Sequence, residues 1–559
     1  MKRQSSTKGF AVLSFASLIC KVLAFIYLPI QAMLVHDNGN GVISAGYKLY
    51  VLIYTITNAG LPIIISKFIS ERVELGDYKG ARVIHKSAFS MMMTFGIISS
   101  LFTYFASGFL AAWCGMSEAK LMFMFIAPTF LFTSVSCSLR GYFQGMHNMT
   151  PTAVSQIVEQ LVNSIFTALL EVLFFRYATN MSKDPITYTA AGSAAATVLA
   201  AVASAAFLTI TFLKNRSRQR RYEKLHQTYT GPRLNSFSVY RQILKFSIPA
   251  VISCIATSAI DIIDTRSCIP MLQLGGYTTV EAYSLFGIYS TKYQRLLTLA
   301  VLFAAPLITA MIPSLSAAIS VHNYSAFLRK VREGFRLNFI VVMPLAAALS
   351  FLAQPIITVI FASQNAGSLL VSIGIWTSLI TTVQTLQSGI LISLNKPLVP
   401  PVSLLIGMVA KVACNYLLIP IHSINMYGAV IGNVCAWVIS ISLNQYFIIK
   451  CLGRKLHTWH YLPKPAIAAG TMGFLCLGFY SALDLLLKMA SLGHVAANDL
   501  AMLATVPFGG MVYFIILARI GGITKGDIEK MPMSGVILAV SKKIPFLVLQ
   551  DAPRRKKSE

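Results

Sequence analysis

Residues 337–395 read LNFIVVMPLAAALSFLAQPIITVIFASQNAGSLLVSIGIWTSLITTVQTLQSGILISLN and contain no Asp, Glu, Lys or Arg. One membrane-crossing helix needs only about 20 apolar residues, so this stretch predicts two spans joined by a hairpin. The whole chain agrees, because 56% of its residues are hydrophobic, 12% are charged and its mean hydropathy is +0.68. We therefore expect an all-α polytopic membrane protein, since helices satisfy their own backbone groups in hydrocarbon.

Apolar stretches bounded by Pro, Gly, Asn or charged residues predict about fourteen transmembrane helices. The predicted spans lie near 9–34, 41–66, 88–113, 120–144, 150–176, 186–213, 241–269, 283–312, 336–362, 367–394, 398–420, 425–449, 462–487 and 498–518.

Lys and Arg are concentrated in alternate loops. The richest loop, 214–241, holds Glu223 as its single acid, whereas the turns around Asn38, Gly276, Asn365 and Ser423 hold almost no basic residue. The positive-inside rule then predicts that this loop and both termini are cytoplasmic, in a bacterial cytoplasmic membrane. Attraction to anionic membrane lipids accounts for the net charge of +27 without any nucleic-acid partner.

A weak internal repeat organises the spans. Pro62 and Tyr78 recur as Pro313 and Tyr324, about 250 residues later, with each proline expected to close a helix ahead of a basic loop. A similar match links two Asn-Pro segments and the helices after them, through Asn148, Pro151 and Asn163 in the first copy and Asn395, Pro400 and Asn415 in the second. Each copy holds an even number of spans, so we predict two parallel six-helix lobes in a monomer.

The predicted domains are an N-terminal lobe at 1–214, a cytoplasmic basic linker at 215–240, a C-terminal lobe at 241–455, two appended helices at 456–520 and a basic tail at 521–559.

Ionisable residues inside the spans are the candidate functional residues, because each is costly in lipid unless it meets a partner or a cavity. They are Lys21, Lys48, Glu159, Glu171, Asp261, Asp264, Arg266, Lys292, Arg295 and Lys411. Most lie in the first, second, seventh and eighth spans, which correspond in the two lobes and so predict one central cavity. Glu171, near the outer end of its span, is expected to reach water.

The spacing of these ionisable residues along the chain predicts which of them share a helix face, but it leaves more than one role open for several of them. Asp261 and Asp264 are three residues apart, as are Lys292 and Arg295, so each pair is predicted to share a helix face. Asp264 and Lys292 could instead neutralise each other as structural residues. Lys48 and Arg295 could extend to the membrane surface, and Glu159 could hydrogen-bond between helices.

The intramembrane set leans basic, which favours an anionic, amphipathic substrate such as a lipid-linked diphosphate. No DxD, HExxH, P-loop or GxSxG motif occurs, and the outer loops are too short for a catalytic domain. We therefore expect a transporter rather than an enzyme, without catalytic residues, cofactor or bound metal.

Three segments carry a family resemblance: ICKVLAFIYLPI at 19–30, AGLPIIISKFISERVELGDYKGA at 59–81 and GGITKGDIEKMP at 521–532. They resemble the MurJ/YtgP-type lipid II flippases, in the polysaccharide-biosynthesis branch of the multidrug/oligosaccharidyl-lipid/polysaccharide (MOP) exporter superfamily. The resemblance implies a V-shaped, two-lobed bundle that moves an undecaprenyl-diphosphate-linked cell-wall precursor, most readily lipid II, by alternating access. It also implies that the last two helices form a groove for the lipid tail.

The resemblance further implies substrate contacts for Lys21, for Lys292 or Arg295, and for Asp264. Other members carry more arginines where this chain has Leu28 and Tyr54, and Lys48 is the candidate that compensates.

Other functions remain open within the superfamily: a flippase for a teichoic, capsular or spore-envelope glycan lipid, or a cation-coupled drug exporter. Transport could be coupled to the membrane potential, Na⁺ or H⁺. The candidates for coupling or for a purely structural role are Asp261, Glu159, Arg266 and Lys411.

Overall fold

The computed structural model describes residues 27–58, 61–229, 235–301, 323–361, 365–453, 459–490 and 493–523, with isolated residues between 16 and 24 and between 311 and 321. All regular structure in these ranges is helical, so the predicted all-α class is confirmed. Most of the first predicted span, together with Lys21, Pro313 and the tail from residue 524, lies outside the described residues.

The helices of the first half are α1 (Leu28–Asn58), α2 (Leu61–Glu74), α3 (Tyr78–Phe105), α4 (Ser107–Cys114), α5 (Ala119–Ile126), α6 (Thr129–Gly145), α7 (Thr150–Asn180) and α8 (Pro185–His226). Those of the second half are α9 (Ser236–Leu274), α10 (Thr279–Gly287), a π-helix (Ile288–Tyr293), α11 (Gln294–Ala300), α12 (Tyr324–Phe351), α13 (Ala353–Ile360), α14 (Ser368–Gly374), α15 (Thr377–Ser393), α16 (Val399–Leu418), α17 (Tyr427–Leu452), a 3₁₀-helix (Trp459–Tyr461), α18 (Pro463–Met489) and α19 (His494–Arg519).

Several of these helices could cross a bilayer. Among the described residues, nine helical segments are long and apolar enough, and the number rises to eleven if α5 with α6 and α14 with α15 each form one bent span. The polytopic membrane class is thereby supported. The count of fourteen stays a prediction, because the described ranges omit most of the first span and part of the eighth.

The same succession of helices occurs twice, about 250 residues apart. In the first copy α3 has 28 residues, α4 has 8, and α5 and the 17-residue α6 are bent by 41°. In the second copy α12 has 28 residues, α13 has 8, and α14 and the 17-residue α15 are bent by 40°. His147 after α6 and Asn395 after α15 both have a φ of 58°. The repeat is therefore a property of the backbone as well as of the sequence.

The start of the described chain has a break close to the predicted boundary between the first two spans. α1 is interrupted at His36, where φ is 51° and ψ is −163°, so two helical segments meet there, two residues before Asn38. The segment after the break packs closely, since a Cβ at Gly41 would collide with the carbonyl oxygen of Tyr283 and a Cβ at Gly287 with that of Asp37. α1 and α10 are thus in backbone contact, which the small residues permit.

Two boundary predictions were wrong. α1 ends at Asn58, and Pro62 does not close it but occupies the second position of α2, where a missing N–H costs little. The basic segment 67–86 is helical apart from a short turn after α2, because the side chain of Asp77 accepts the N–H of Gly80 and starts α3 at Tyr78.

The basic linker is also more helical than expected. α8 begins behind the N-cap Asp184 and continues for 42 residues to His226, while α9 begins at Ser236. Most of the predicted linker 215–240 therefore extends membrane helices, and its cytoplasmic location stays a prediction.

The chain forms two compact units, Met1–Ile288 with Val412–Ala429, and Tyr289–Lys411 with Val430–Glu559. In the first, α2, α3, α6 and α8 enclose a core that contains Ile65, Met92 and Phe143. In the second, α12 packs on α18 and α19 around Met472 and Tyr513, and on α15 and α17 on another side. The division into two six-helix lobes stays a prediction.

Candidate functional site

Lys48 and Asp261 form an ion pair between α1 and α9. Lys48 Nζ lies 3.9 Å from Asp261 Oδ1 and 5.0 Å from the centroid of the Phe286 ring. The lysine side chain is 11% exposed, whereas the carboxylate is 47% exposed. A mostly buried cation thus meets an aromatic face and a half-exposed carboxylate, an arrangement that lowers the cost of its burial.

Asp264 lies one turn further along α9 in different surroundings. Its side chain is fully buried, and Asn415 Nδ2 on α16 donates to its Oδ1 at 3.1 Å and to Ser267 Oγ at 2.8 Å. The spacing of three residues puts Asp261 and Asp264 on adjacent turns. It does not give them a common environment, since one carboxylate is half exposed and the other is held by an amide.

Arg266 follows on α9 with an exposed side chain. Its role in coupling stays a prediction.

Lys292 lies in the π-helix between α10 and α11. Its side chain is fully buried, Nζ donates to the carbonyl oxygen of Ala366 at 3.0 Å, and Nζ is 5.8 Å from the centroid of the Phe361 ring. Arg295, three residues later on α11, is only partly buried. The wider π-turn changes the register assumed from α-helical spacing, so the two cations do not share one environment.

Lys411 on α16 is a second fully buried cation in the same unit. Its Nζ donates to Asn433 Oδ1, and Asn433 Nδ2 donates to the hydroxyl of Tyr289 at 2.8 Å. Tyr289 belongs to the π-helix that carries Lys292. An amide relay therefore joins Lys411 to the irregular turn, a connection that spacing along the sequence could not indicate.

Glu159 pairs with Arg140, a residue that our sequence reasoning omitted. Arg140 Nη2 lies 2.5 Å from Glu159 Oε2 and 2.9 Å from Ser204 Oγ, while its Nε donates to Ser155 Oγ at 3.0 Å. Arg140 lies inside a predicted apolar span, so the criterion used for the other candidates also applies to it. This network connects α6, α7 and α8 and supports the structural interpretation of Glu159.

The prediction that Glu171 reaches water is wrong. Its side chain is fully buried on α7, and Gln31 Nε2 donates to its Oε1 at 2.7 Å. The helix continues to Asn180, so Glu171 lies well before its end.

Lys21 lies outside the described residues. Within the described part of the chain, no group of three or more His, Cys, Asp or Glu side chains is arranged to hold a metal ion.

The sequence matches one family model and several proteins of Bacillus subtilis. The family model described as "Polysaccharide biosynthesis protein" matches residues 6–319. The chain is 24% identical over 542 residues to Stage V sporulation protein B of Bacillus subtilis (strain 168), covering 96% of this chain and 100% of that protein. It is 23% identical over 457 residues to the lipid II flippase MurJ of the same organism, covering 79% and 82%.

The fold is similar to those of solved transporters. A multidrug resistance MATE family transporter of the MOP superfamily in its inward-facing conformation superposes with a TM-score of 0.60 at 13% identity, covering 80% of this chain and 99% of that one. An outward-facing structure of a MATE family transporter gives 0.54 at 15% identity, covering 80% and 97%.

One of these relatives is named a flippase and the solved structures are of transporters. Because the family model matches more than half of its length, the chain belongs to the polysaccharide biosynthesis protein family.

Proposed function

We propose that this protein is a flippase that moves an undecaprenyl-diphosphate-linked cell-wall precursor, in the first instance lipid II, across the bacterial cytoplasmic membrane by alternating access. Family membership and the relative named lipid II flippase support the class of substrate. In this proposal the protein acts as a monomer without a cofactor, with both termini in the cytoplasm.

The Lys48–Asp261 pair is the observation that carries the proposal. The buried Lys48 ammonium pairs with the half-exposed Asp261 carboxylate and can exchange it for another anion. The exchange costs little free energy, because the released carboxylate is already partly exposed. A diphosphate oxygen is such an anion. In this mechanism, Asp261 balances Lys48 while no substrate is bound, and the arriving head group takes its place.

Further basic residues are proposed to complete the diphosphate contacts. The Lys292 ammonium donates to the carbonyl oxygen of Ala366, and its position in a π-helix suits a site that must rearrange. Lys21 and Arg295 are proposed to assist. Asp264 and Asp261 are the proposed candidates for coupling to Na⁺, H⁺ or the membrane potential, and Glu159, which pairs with Arg140, is proposed to be structural.

Two alternatives have support of different strength. The full-length match to Stage V sporulation protein B favours a flippase for a glycan lipid of the spore envelope. A drug exporter has only the MATE fold in its favour, and buried lysines oppose a cationic substrate.

The decisive experiment reconstitutes the protein in proteoliposomes and measures the outer-leaflet accessibility of lipid II, of a second undecaprenyl-diphosphate glycan, and of a lipophilic cationic dye. We expect the diphosphate lipids to be moved and the dye to be left behind. Movement of the dye alone would overturn the proposal, and movement of the second glycan alone would transfer it to the sporulation alternative.

Lys48→Gln tests the exchange mechanism. We expect a loss of flipping of at least about tenfold, since one charge-assisted contact to the diphosphate disappears, while Lys48→Arg keeps more activity. Lys67→Gln on α2 is the matched control, because Lys67 is 55% exposed and pairs with Glu71. Equal flipping by the Lys48→Gln and Lys67→Gln proteins would exclude Lys48 from the site.

Topology is tested separately by cysteine labelling at Arg220. We expect labelling from the cytoplasmic side, as the basic bias of 214–241 predicts. Labelling from outside would overturn the predicted topology and, with it, the predicted number of helices.

A further inference from the structure

We propose that the protein carries a binding site for one anionic phospholipid, in a cavity between α3, α6 and α8 that is separate from the candidate transport residues. The cavity has a volume of about 400 Å³. Its basic lining residues are Arg82, Lys86 and Arg216, and its apolar wall includes Phe89, Leu139 and Phe212. All of these belong to the first compact unit.

The charge of the cavity points to an anion. Arg82, Lys86 and Arg216 have exposed side chains, and no acidic residue is among the described residues that line the cavity. Arg82 and Lys86 are four residues apart on α3, where like charges repel. A bound phosphate would offset this repulsion.

A buried polar atom gives independent evidence. The side chain of His85 is 9% exposed, and its Nε2 has no hydrogen-bond partner among the described residues. The ring is packed at 4.4 Å from Tyr142 and 5.3 Å from Phe212, centroid to centroid. His85 lines the cavity, so a phosphate or glycerol oxygen there would supply the partner that the protein does not.

The apolar wall decides between a lipid and a soluble phosphate. Phe89, Leu139, Phe212 and Leu213 line the same cavity as the three cations, and Leu213 is 53% exposed on α8, a helix apolar enough to span a membrane. A soluble phosphate makes no apolar contacts with such a wall, whereas the acyl chain of a lipid would bury it. Basic pockets between membrane helices suit anionic head groups, so phosphatidylglycerol is the chemistry that fits.

The test titrates the purified full-length protein in detergent with phosphatidylglycerol or phosphatidylcholine and counts retained lipids by native mass spectrometry. We expect one retained phosphatidylglycerol and no comparable phosphatidylcholine. The Arg82→Gln, Lys86→Gln double variant should retain at least about tenfold less, because charge-assisted contacts are lost. The control double variant, Lys79→Gln with Lys214→Gln, removes two exposed cations from α3 and α8 that do not line the cavity, and should bind as the wild type does.

One further variant and a competition experiment test whether the cavity itself binds the lipid. Arg216→Gln removes a cation from α8 and leaves the start of α3 unchanged, and it should also weaken retention. Glycerol phosphate and inorganic phosphate should neither compete with the lipid nor raise the Tm. Equal retention by the cavity and control variants, or full competition by inorganic phosphate, would overturn the proposal. Lipid retention is measured without lipid II, so the result is independent of the flipping assay.

Discussion

α3 and α12 hold the same place in the two copies of the repeat, yet their surroundings differ. Each follows a side-chain N-cap, Asp77 with Gly80 N at 2.8 Å and Asn323 with Ala326 N at 2.9 Å. In the most apolar window of each helix, 33% of the residues are buried in α3 and 61% in α12. The extra burial comes from α18 and α19, which pack on α12 through a core that contains Ala469 and Met472. The appended helices therefore change the packing of the second copy without changing its backbone plan.

The copies also differ in one polar contact, made by α6 in the first copy and by α15 in the second. α6 carries a charged pair, Arg140 with Glu159. α15 carries a neutral pair, in which Gln387 Nε2 donates to Gln445 Oε1 at 3.0 Å. A charge that loses its partner inside a protein is far more costly than an amide that does, so the copies should respond unequally to truncation.

Truncation of the polar contacts should produce the largest effect. Arg140→Ala leaves Glu159 without this partner and should lower the free energy of unfolding by about 3 kcal/mol, at the low end for buried pairs because Glu159 is partly exposed. Gln387→Ala should cost only about 1 kcal/mol. Thermal unfolding of the wild type and both variants in detergent measures the two losses of stability.

A rescue variant separates charge from packing in the same assay. Arg140→Met combined with Glu159→Leu should recover most of the loss, because no charge is then left unpaired. Equal losses for Arg140→Ala and Gln387→Ala would remove the distinction between the two copies.

Packing of α18 on α12 should give the next effect. A Cβ at Gly473 would collide with the ring of Phe351, so Gly473→Ala should destabilise the protein by about 1–3 kcal/mol. Gly478 on the same helix has nothing within 4 Å of its Cβ position, so Gly478→Ala is the matched control and should be neutral or slightly stabilising. A loss of Tm in both variants would indicate helix-wide strain rather than this contact.

The N-caps should differ by a smaller amount. Asp77→Ala should cost about 1–2 kcal/mol, because Asp77 is buried and also meets Arg72 at 3.5 Å. Asn323→Ala should cost about 0.5–1 kcal/mol, since an exposed cap has only the helix N–H to satisfy. The difference in Tm between the two variants measures the effect, and a larger loss at Asn323 would contradict it.

A third cap, at α10, should give the smallest effect and a dependence on pH. Glu281 accepts the N–H and the hydroxyl of Thr278, both at 2.8 Å, and these hydrogen bonds hold the pKa of Glu281 below its usual value. A lowered folded pKa stabilises the protein above the unfolded carboxyl pKa of about 4.3. That contribution is lost as the pH falls through the lower folded pKa.

Glu281→Gln is the comparison variant, because glutamine keeps an acceptor and does not titrate. The Tm difference between wild type and variant should therefore be constant near neutral pH and shrink only below about pH 4. A difference that persists unchanged into acid would show that the carboxylate charge has no part in the cap.

The limits of sequence reasoning are clearest at the ionisable residues. Hydropathy identified Lys48, Lys292 and Lys411 as unusual, and all three have largely buried side chains. It could not find the Asn433 relay to Tyr289 or the π-helix, because both depend on which helices touch. It also misplaced Glu171, because the end of α7 lies beyond the predicted boundary.

Local composition was enough to specify an all-helical membrane protein with an internal repeat. The cost of unpaired backbone groups in lipid is set within each run of about 20 residues, so it can be read without knowing any neighbour. The partner of each buried charge was decided only by the tertiary structure. Coulombic and hydrogen-bond energies fall off over a few ångströms, and the contacts of Lys48 with Asp261 and of Arg140 with Glu159 exist only once separate helices have packed together.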